Sequence, residues 1–255
     1  MVVQKRYGWV RDLPDQRDLA YVPPRALAAA LPPRTDLRPG FGAVYDQGLL
    51  GSCTANAIAG ALQFLERKEG AAVPVMPSRL FIYYNERAIE GTVRSDSGAQ
   101  LRDGIKSVVK DGFCPEPLWP YLVDRFERRP PKHCYEVAVA GRVSRYLRLD
   151  QSPSALLTCL ASGNPFVFGF SVYESFQSPR VGDTGTVRMP RPGEPLVGGH
   201  AVVACGYDLE ARRFLVRNSW GPGWGQEGYF TMPFEYLIDP ALAADFWTIR
   251  QVPIA

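Results

Sequence analysis

Apolar positions fall into two regimes along the chain. From Ser52 they recur three and four apart, at Ala55, Ile58, Leu62 and Leu65, with Ala57, Ala61 and Phe64 beside them, as far as Gly70. That spacing predicts a helix capped by Ser52 with a face broad enough to be buried. Pro77-Ser78 opens a second helix over 79–90, carried by Leu80, Tyr83, Tyr84 and Ile89, on which Glu86 and Glu90 read as solvent-facing. A third helix is predicted over 99–110, stopped by Asp111-Gly112. Residues 115–131, rich in proline and charge, read as irregular. After them the period changes. Strands are predicted at 137–143, 145–149, 166–173, 186–189, 200–207, 213–218, 228–232 and 246–252. One short helix, led by Ser152-Pro153, interrupts them and ends near Ala161. Residues 1 to about 40, with Pro23-Pro24 and Pro32-Pro33, read as an extended arm with one helical turn at 26–31. Helices first and strands later make an α+β protein of two lobes.

Composition narrows the function more than the fold. The 255 residues carry 29 Lys and Arg against 26 Asp and Glu, a net charge of +3, too even for a nucleic-acid partner. No run of about 18 apolar residues suggests a membrane span, and the first residues lack a leader's apolar core, so a cytoplasmic setting is expected. Gly223-Trp224-Gly225-Gln226-Glu227-Gly228 fits a dinucleotide-binding string, but a strand pattern follows where a phosphate site needs a helix. Without a C-x-x-C pair, zinc is not expected, and no metal or cofactor is assigned. The 24 Gly and 23 Pro point to shaped loops, and five Cys leave at least one unpaired within the monomer.

Three residues far apart are the candidates for chemistry. Cys53 opens the first helix, where unpaired N–H groups favour a thiolate, although a small buried residue would suit the position equally. His200 opens an apolar strand and reads either as a core histidine or as a functional one. Asn218 ends another strand before Ser219-Trp220-Gly221, where a turn former is the alternative.

Taken together, Gln47, the Gly51-Ser52-Cys53-Thr54-Ala55-Asn56-Ala57 run, His200 and the Asn218-Ser219-Trp220-Gly221-Pro222-Gly223-Trp224-Gly225 segment resemble the papain-like cysteine peptidases, particularly bacterial members. The resemblance spans about 31–252. It implies a helical lobe over about 42–135 and an antiparallel β-barrel-like lobe over about 136–255, with the active-site cleft between them. Residues 31–255 would be the catalytic domain and residues 1–30 an arm or short pro-like segment. Cys53 would attack a peptide carbonyl as the thiolate of a pair with His200, forming a thioester acyl-enzyme. Asn218 would orient the imidazole under Trp220, and Gln47 would supply an oxyanion donor. Ser97 and Gly98 would border the extended substrate, and Gly198 and Gly199 an open pocket without a charge partner, for the second residue before the cut.

The sequence also departs from that pattern. Thr54 stands where an aromatic residue is common, which predicts a smaller wall on the leaving-group side. Leu50 replaces a bridging cysteine, and Cys114 with Cys134 is the one pairing left open. The expected activity is endopeptidase cleavage of peptide or protein substrates. A catalytically silent binding or regulatory protein and an amidase or transpeptidase remain alternatives on the same scaffold. For the arm, intramolecular inhibition and permanent wrapping of the strand lobe are both open.

Overall fold

The computed structural model describes residues 6–71 and 74–251. The arm supplies β1 (Trp9–Val10), α1 (Arg25–Ala29) and β2 (Arg34–Asp36). The helical lobe is built on α2 (Cys53–Lys68), α3 (Arg79–Glu90), β3 (Ala99–Gln100), α4 (Leu101–Lys110) and α5 (Lys132–Ala138). Then come β4 (Arg145–Arg148), α6 (Pro153–Ala161), β5 (Phe166–Tyr173), α7 (Pro179–Thr184), β6 (Leu196–Asp208), β7 (Arg213–Arg217), β8 (Tyr229–Pro233), α8 (Phe234–Ile238) and β9 (Ala243–Gln251).

The sheet runs β4-β9-β5-β6-β7-β8 with every neighbouring pair antiparallel, and β2 adds to the far end of β6. Its central strand β6 is covered on both faces. Ala201, Val203 and Cys205 enter the core shared with α2, while Val202 and Ala204 enter a second core with Leu156 and Leu160 of α6 and the phenylalanines of β5. Burial of both faces explains why β6 reads as a continuous apolar run. α2 is buried from Cys53 to Leu65, so its broad apolar face is a helix enclosed by neighbours. The first turn of α2 is thereby set beside the early residues of β6, and the cleft forms there.

Three predicted elements differ. Residues 137–141 are helical, not strand, and 142–143 are irregular: α5 passes into a 3-10 turn at Val139–Gly141. Cys134 and Ala138, four apart, are its buried positions, while Val137 and Val139 face solvent. The valines suggested a strand, but burial follows the helical period. Residues 186–189 make only an isolated bridge, Thr186 to Thr231, in a loop closed by prolines. The third helix starts at Leu101 because Ala99 and Gln100 are extended, paired with the arm.

The arm touches both lobes. β1 pairs in parallel with β3, Asp18 bridges Arg102 of α4 and Arg148 of β4, and Tyr21 is buried in the strand-lobe core. β2 then pairs with residues 206–208 of β6. Among the described residues no helix is long and apolar enough to cross a membrane.

Candidate active site

Cys53 begins α2, and its side chain is wholly buried. The backbone N–H groups of Ala201, Gly8 and Thr54 face its sulfur and favour the thiolate. Burial outweighs them, and the thiol is pushed up to about 12. This reverses the lowered value expected at a helix start; burial is the cause, with Gly8 of the arm among the groups that enclose the thiol. His200, also buried, holds Asn218 Oδ1 at 2.8 Å through Nε2. The same oxygen accepts the Ser219 N–H at 2.9 Å, so it acts as an acceptor and Nε2 carries the hydrogen. Trp220 stacks on the imidazole with ring centroids 5.0 Å apart, which screens that bond from water.

Gln47 is fixed at both ends. Its backbone N–H donates to Ser219 O at 2.9 Å, and Ser219 Oγ donates to its Oε1 at 2.7 Å. The amide Nε2 is thereby aimed at Leu50 O, 2.9 Å away, and at Arg6 O of the arm, 3.2 Å away. Tyr121 donates to Gln47 O at 2.9 Å, and Arg79, sandwiched between the rings of Tyr45 and Tyr121, forks onto Glu116 and reaches Asp46 O. Ser219, Tyr121 and Arg79 were not singled out from the sequence. Only Ser219 had a signal there, its place between Asn218 and Trp220.

The groove residues come together, though not all face it. Gly98, at φ 72, is buried under the arm: a Cβ there would meet Gly8 O at 2.0 Å. Ser97 is exposed and bonds the carbonyl of Gly98 through its hydroxyl. Asp96, beside it, accepts Gly51 N–H at 2.9 Å, Tyr83 O–H at 2.6 Å and the Arg6 guanidinium at 2.9 Å. Gly198 lies against Tyr7, and Gly199 with Gly169 lies against the ring of Trp9. The Trp9 indole N–H donates to Asp245 Oδ2 at 3.0 Å. The pocket expected to lack a charge partner therefore has a buried carboxylate at its floor. Beyond Trp220 an open cleft of about 1530 Å³ is bordered by Tyr7, Gln177, Arg180, Arg188 and Trp224.

One expectation is corrected behind the nucleophile. Thr54 is fully buried, adds no side chain to the groove, and donates to Glu86 Oε1 at 2.6 Å. Glu86 is not solvent-facing but fully buried, and burial raises its carboxyl well above the ordinary range. Glu90, one turn on, is partly buried and accepts the Gln100 N–H at 2.7 Å. Cys114 and Cys134 are both buried free thiols, as are the other three cysteines.

A thiol at the head of a buried helix, facing a histidine-bearing strand across a cleft between helical and antiparallel lobes, defines a thiol hydrolase of papain-like architecture. Residues 31–236 match the papain family cysteine proteases, and the chain belongs to that family. Over 99% of its length it superposes on xylellain, a cysteine protease from Xylella fastidiosa, with a TM-score of 0.91, 46% identity and all of that chain covered. It is 42% identical, over 98% of this chain and 88% of the relative, to an uncharacterized peptidase C1-like protein of Acanthamoeba polyphaga mimivirus. Digestive procathepsin L 3 of Tenebrio molitor larval midgut shares the fold, with a TM-score of 0.73 and 17% identity over 98% of this chain and 77% of that one.

Proposed function

We propose that the protein is an endopeptidase in which Cys53, His200, Asn218 and Gln47 carry the reaction and residues 6–10 hold the cleft closed. The sulfur of Cys53, its proton passed to His200, adds to the peptide carbonyl carbon. His200 then protonates the leaving amine as the C–N bond breaks, and a water molecule, losing a proton to His200, cleaves the thioester. Because Nε2 is committed to Asn218, Nδ1 is the ring nitrogen for these transfers. Gln47 Nε2 and the Cys53 N–H would receive the oxyanion.

The single observation carrying this reading is the convergence imposed by one tripeptide: Asn218 orients His200 while Ser219 fixes the Gln47 amide, whose Nε2 meets the arm at Arg6 O. A structural histidine would not need a second side chain to aim an amide into the same space.

The direction of the arm supports closure without cleavage. A substrate would place residues before the cut against Gly98 and Gly199 and those after it against Trp220. The arm does the opposite, with Tyr7 at Trp220, Gly8 at Cys53 and Trp9 at Gly199. Its chain runs backwards through the groove, so its amide nitrogens lie on the wrong side for proton transfer from His200. Beyond the groove, Asp18, Tyr21 and β2 wrap the body, so both open readings of the arm apply to different stretches of it. With Trp9 displaced, Asp245 would favour arginine, lysine or tryptophan at the second residue before the cut.

The test is labelling with an epoxysuccinyl peptide under reducing conditions and mass mapping of the adduct. A single adduct on Cys53, absent from Cys53→Ala, is expected. No adduct even after the arm is displaced would refute the hydrolase and favour a silent binding protein.

A further inference from the structure

Two carboxylates face each other where the arm meets the body: Asp12 after β1 and Asp245 of β9, which are 8% and 3% exposed. Asp245 Oδ2 accepts the backbone N–H of Asp12 at 2.8 Å as well as the Trp9 indole. Asp12 Oδ2 accepts the Trp247 indole N–H at 2.9 Å, and its Oδ1 accepts the backbone N–H of Arg102 at 3.1 Å. All four donors are neutral groups. Asp245 is also held at φ 59, a backbone region that L-residues rarely adopt.

The cations around the pair are engaged elsewhere. Arg102 of α4 forks onto Asp18 through Nε and Nη2 and also reaches Leu13 O. Arg148 of β4 reaches Asp18 at 2.9 Å, Arg11 of the arm donates to Pro240 O, and Lys106 of α4 lies 3.6 Å from Asp15. Arg102, Arg148 and Arg11 still lower the two carboxyls at a distance, but none makes an ion pair with either. Two ionised carboxylates in such a site repel through a poorly screening interior, so the docked arrangement favours one proton on the pair.

We propose that Asp12 and Asp245 form a proton-bearing latch that holds the arm across the cleft and lets it go as the pH rises. Burial first and the Asp245 charge second push Asp12 up to about 7. Burial raises Asp245 as well. When the arm lifts, Asp12 enters water and returns to the ordinary value of 3.8. Docking therefore takes up a proton between those limits. The contribution is complete below the ordinary value and is lost as pH climbs toward 7, by about tenfold in the closed-to-open ratio per pH unit. From pH 5 to pH 7 the ratio falls by about 50-fold, because the loss tapers as the docked value is reached. That an open arm means an active enzyme rests on the function proposed above; the latch itself does not.

Hydrogen exchange in the full-length protein reads the latch directly. The Ala99 amide donates to Gly8 O at 2.8 Å and is released only when the arm lifts. Its exchange, corrected for the intrinsic pH dependence, is expected to rise by about 50-fold from pH 5 to pH 7. The Val203 amide in β6 should not follow, and Asp12→Asn should remove the slope at Ala99. A flat wild-type profile, or a slope retained in Asp12→Asn, overturns the proposal. Should Asp12→Asn fail to fold, the carboxyl carbon of Asp12 in the wild type is titrated by NMR. A midpoint near 7 supports the latch, and one in the ordinary carboxylate range overturns it. A normal exchange slope with no peptide hydrolysis at any pH would refute the peptidase reading and leave the latch standing.

Discussion

One methyl group at Gly8 should turn the protein on. A Cβ at that position would lie 1.7 Å from Gly51 O and 2.5 Å from Gly51 C. Gly51 cannot retreat easily, because its N–H is tied to Asp96 at 2.9 Å and it adjoins Ser52, the N-cap of α2. The arm must therefore move, by roughly 2 Å to restore ordinary van der Waals separation. A shift of that size breaks the Ala99-to-Gly8 bond at 2.8 Å and the Gln47-to-Arg6 bond at 3.2 Å. Overpacking costs about 1–3 kcal/mol and each hydrogen bond about 1 kcal/mol, so the closed state should lose at least roughly 3 kcal/mol. That is a rise of about 100-fold in the open fraction, provided the wild type is mostly closed. The assay is the second-order rate of Cys53 labelling by an epoxysuccinyl peptide, with turnover of a fluorogenic peptide alongside. Gly8→Ala should raise both by about that factor, while the melting temperature falls by about 6–12 °C, the closure energy lost, and the Asp18 and Tyr21 anchors keep the body folded. Gly223→Ala, where a Cβ meets nothing within 4 Å, is the control and should change neither. Labelling of a folded Gly8→Ala protein within twofold of wild type would refute closure by the arm.

Further outcomes follow from other parts of the site. Gln47→Ala should lower kcat by about 100- to 1000-fold, the usual cost of an oxyanion donor; a change confined to KM would count against that role. Ser219→Ala should lower kcat by less, since the Gln47 amide is then only misaimed, and unchanged kcat would dismiss the aiming role of its 2.7 Å bond. In a Gly8→Ala background, Asp245→Asn should cut the preference for arginine over leucine at the second residue before the cut by about 10- to 100-fold. Equal selectivity in both proteins would remove Asp245 from the pocket. Because the Glu86 carboxyl is raised by burial, its stabilisation is full below the ordinary carboxylate range and is lost as pH climbs toward its folded value. Unfolding free energy should therefore fall less steeply with rising pH above the ordinary carboxylate range in Glu86→Gln than in wild type, by up to about 1.4 kcal/mol per pH unit, and parallel curves would mean Glu86 is already ionised.

The chemistry was legible in the sequence where it depends on local order. Cys53 follows a capping serine, His200 precedes an apolar strand, and Asn218, Ser219 and Trp220 are consecutive, so the motif and the element containing it coincide. Periodicity also placed α2, α3 and β5 closely, because each buries enough of its own length for hydrophobic spacing to report its period. It failed at 137–143, where exposed valines imitated a strand. It failed too at Glu86, whose helical spacing was correct but whose covered face could not be known.

The sequence alone thus determined which residues are available for thiol chemistry, along with most of the elements that carry them. Tertiary structure decided whether the thiol is accessible, which way the arm crosses it, and what lies beneath the pocket beside it. Asp12 and Asp245 are separated by 233 residues of chain, and no local pattern marks either as the other's neighbour. Their meeting is set by the arm crossing the cleft and by the sheet that brings β9 beside β5. Burial then gives two ordinary aspartates a shared need for a proton, because desolvation and like charge arise only after the chain has folded.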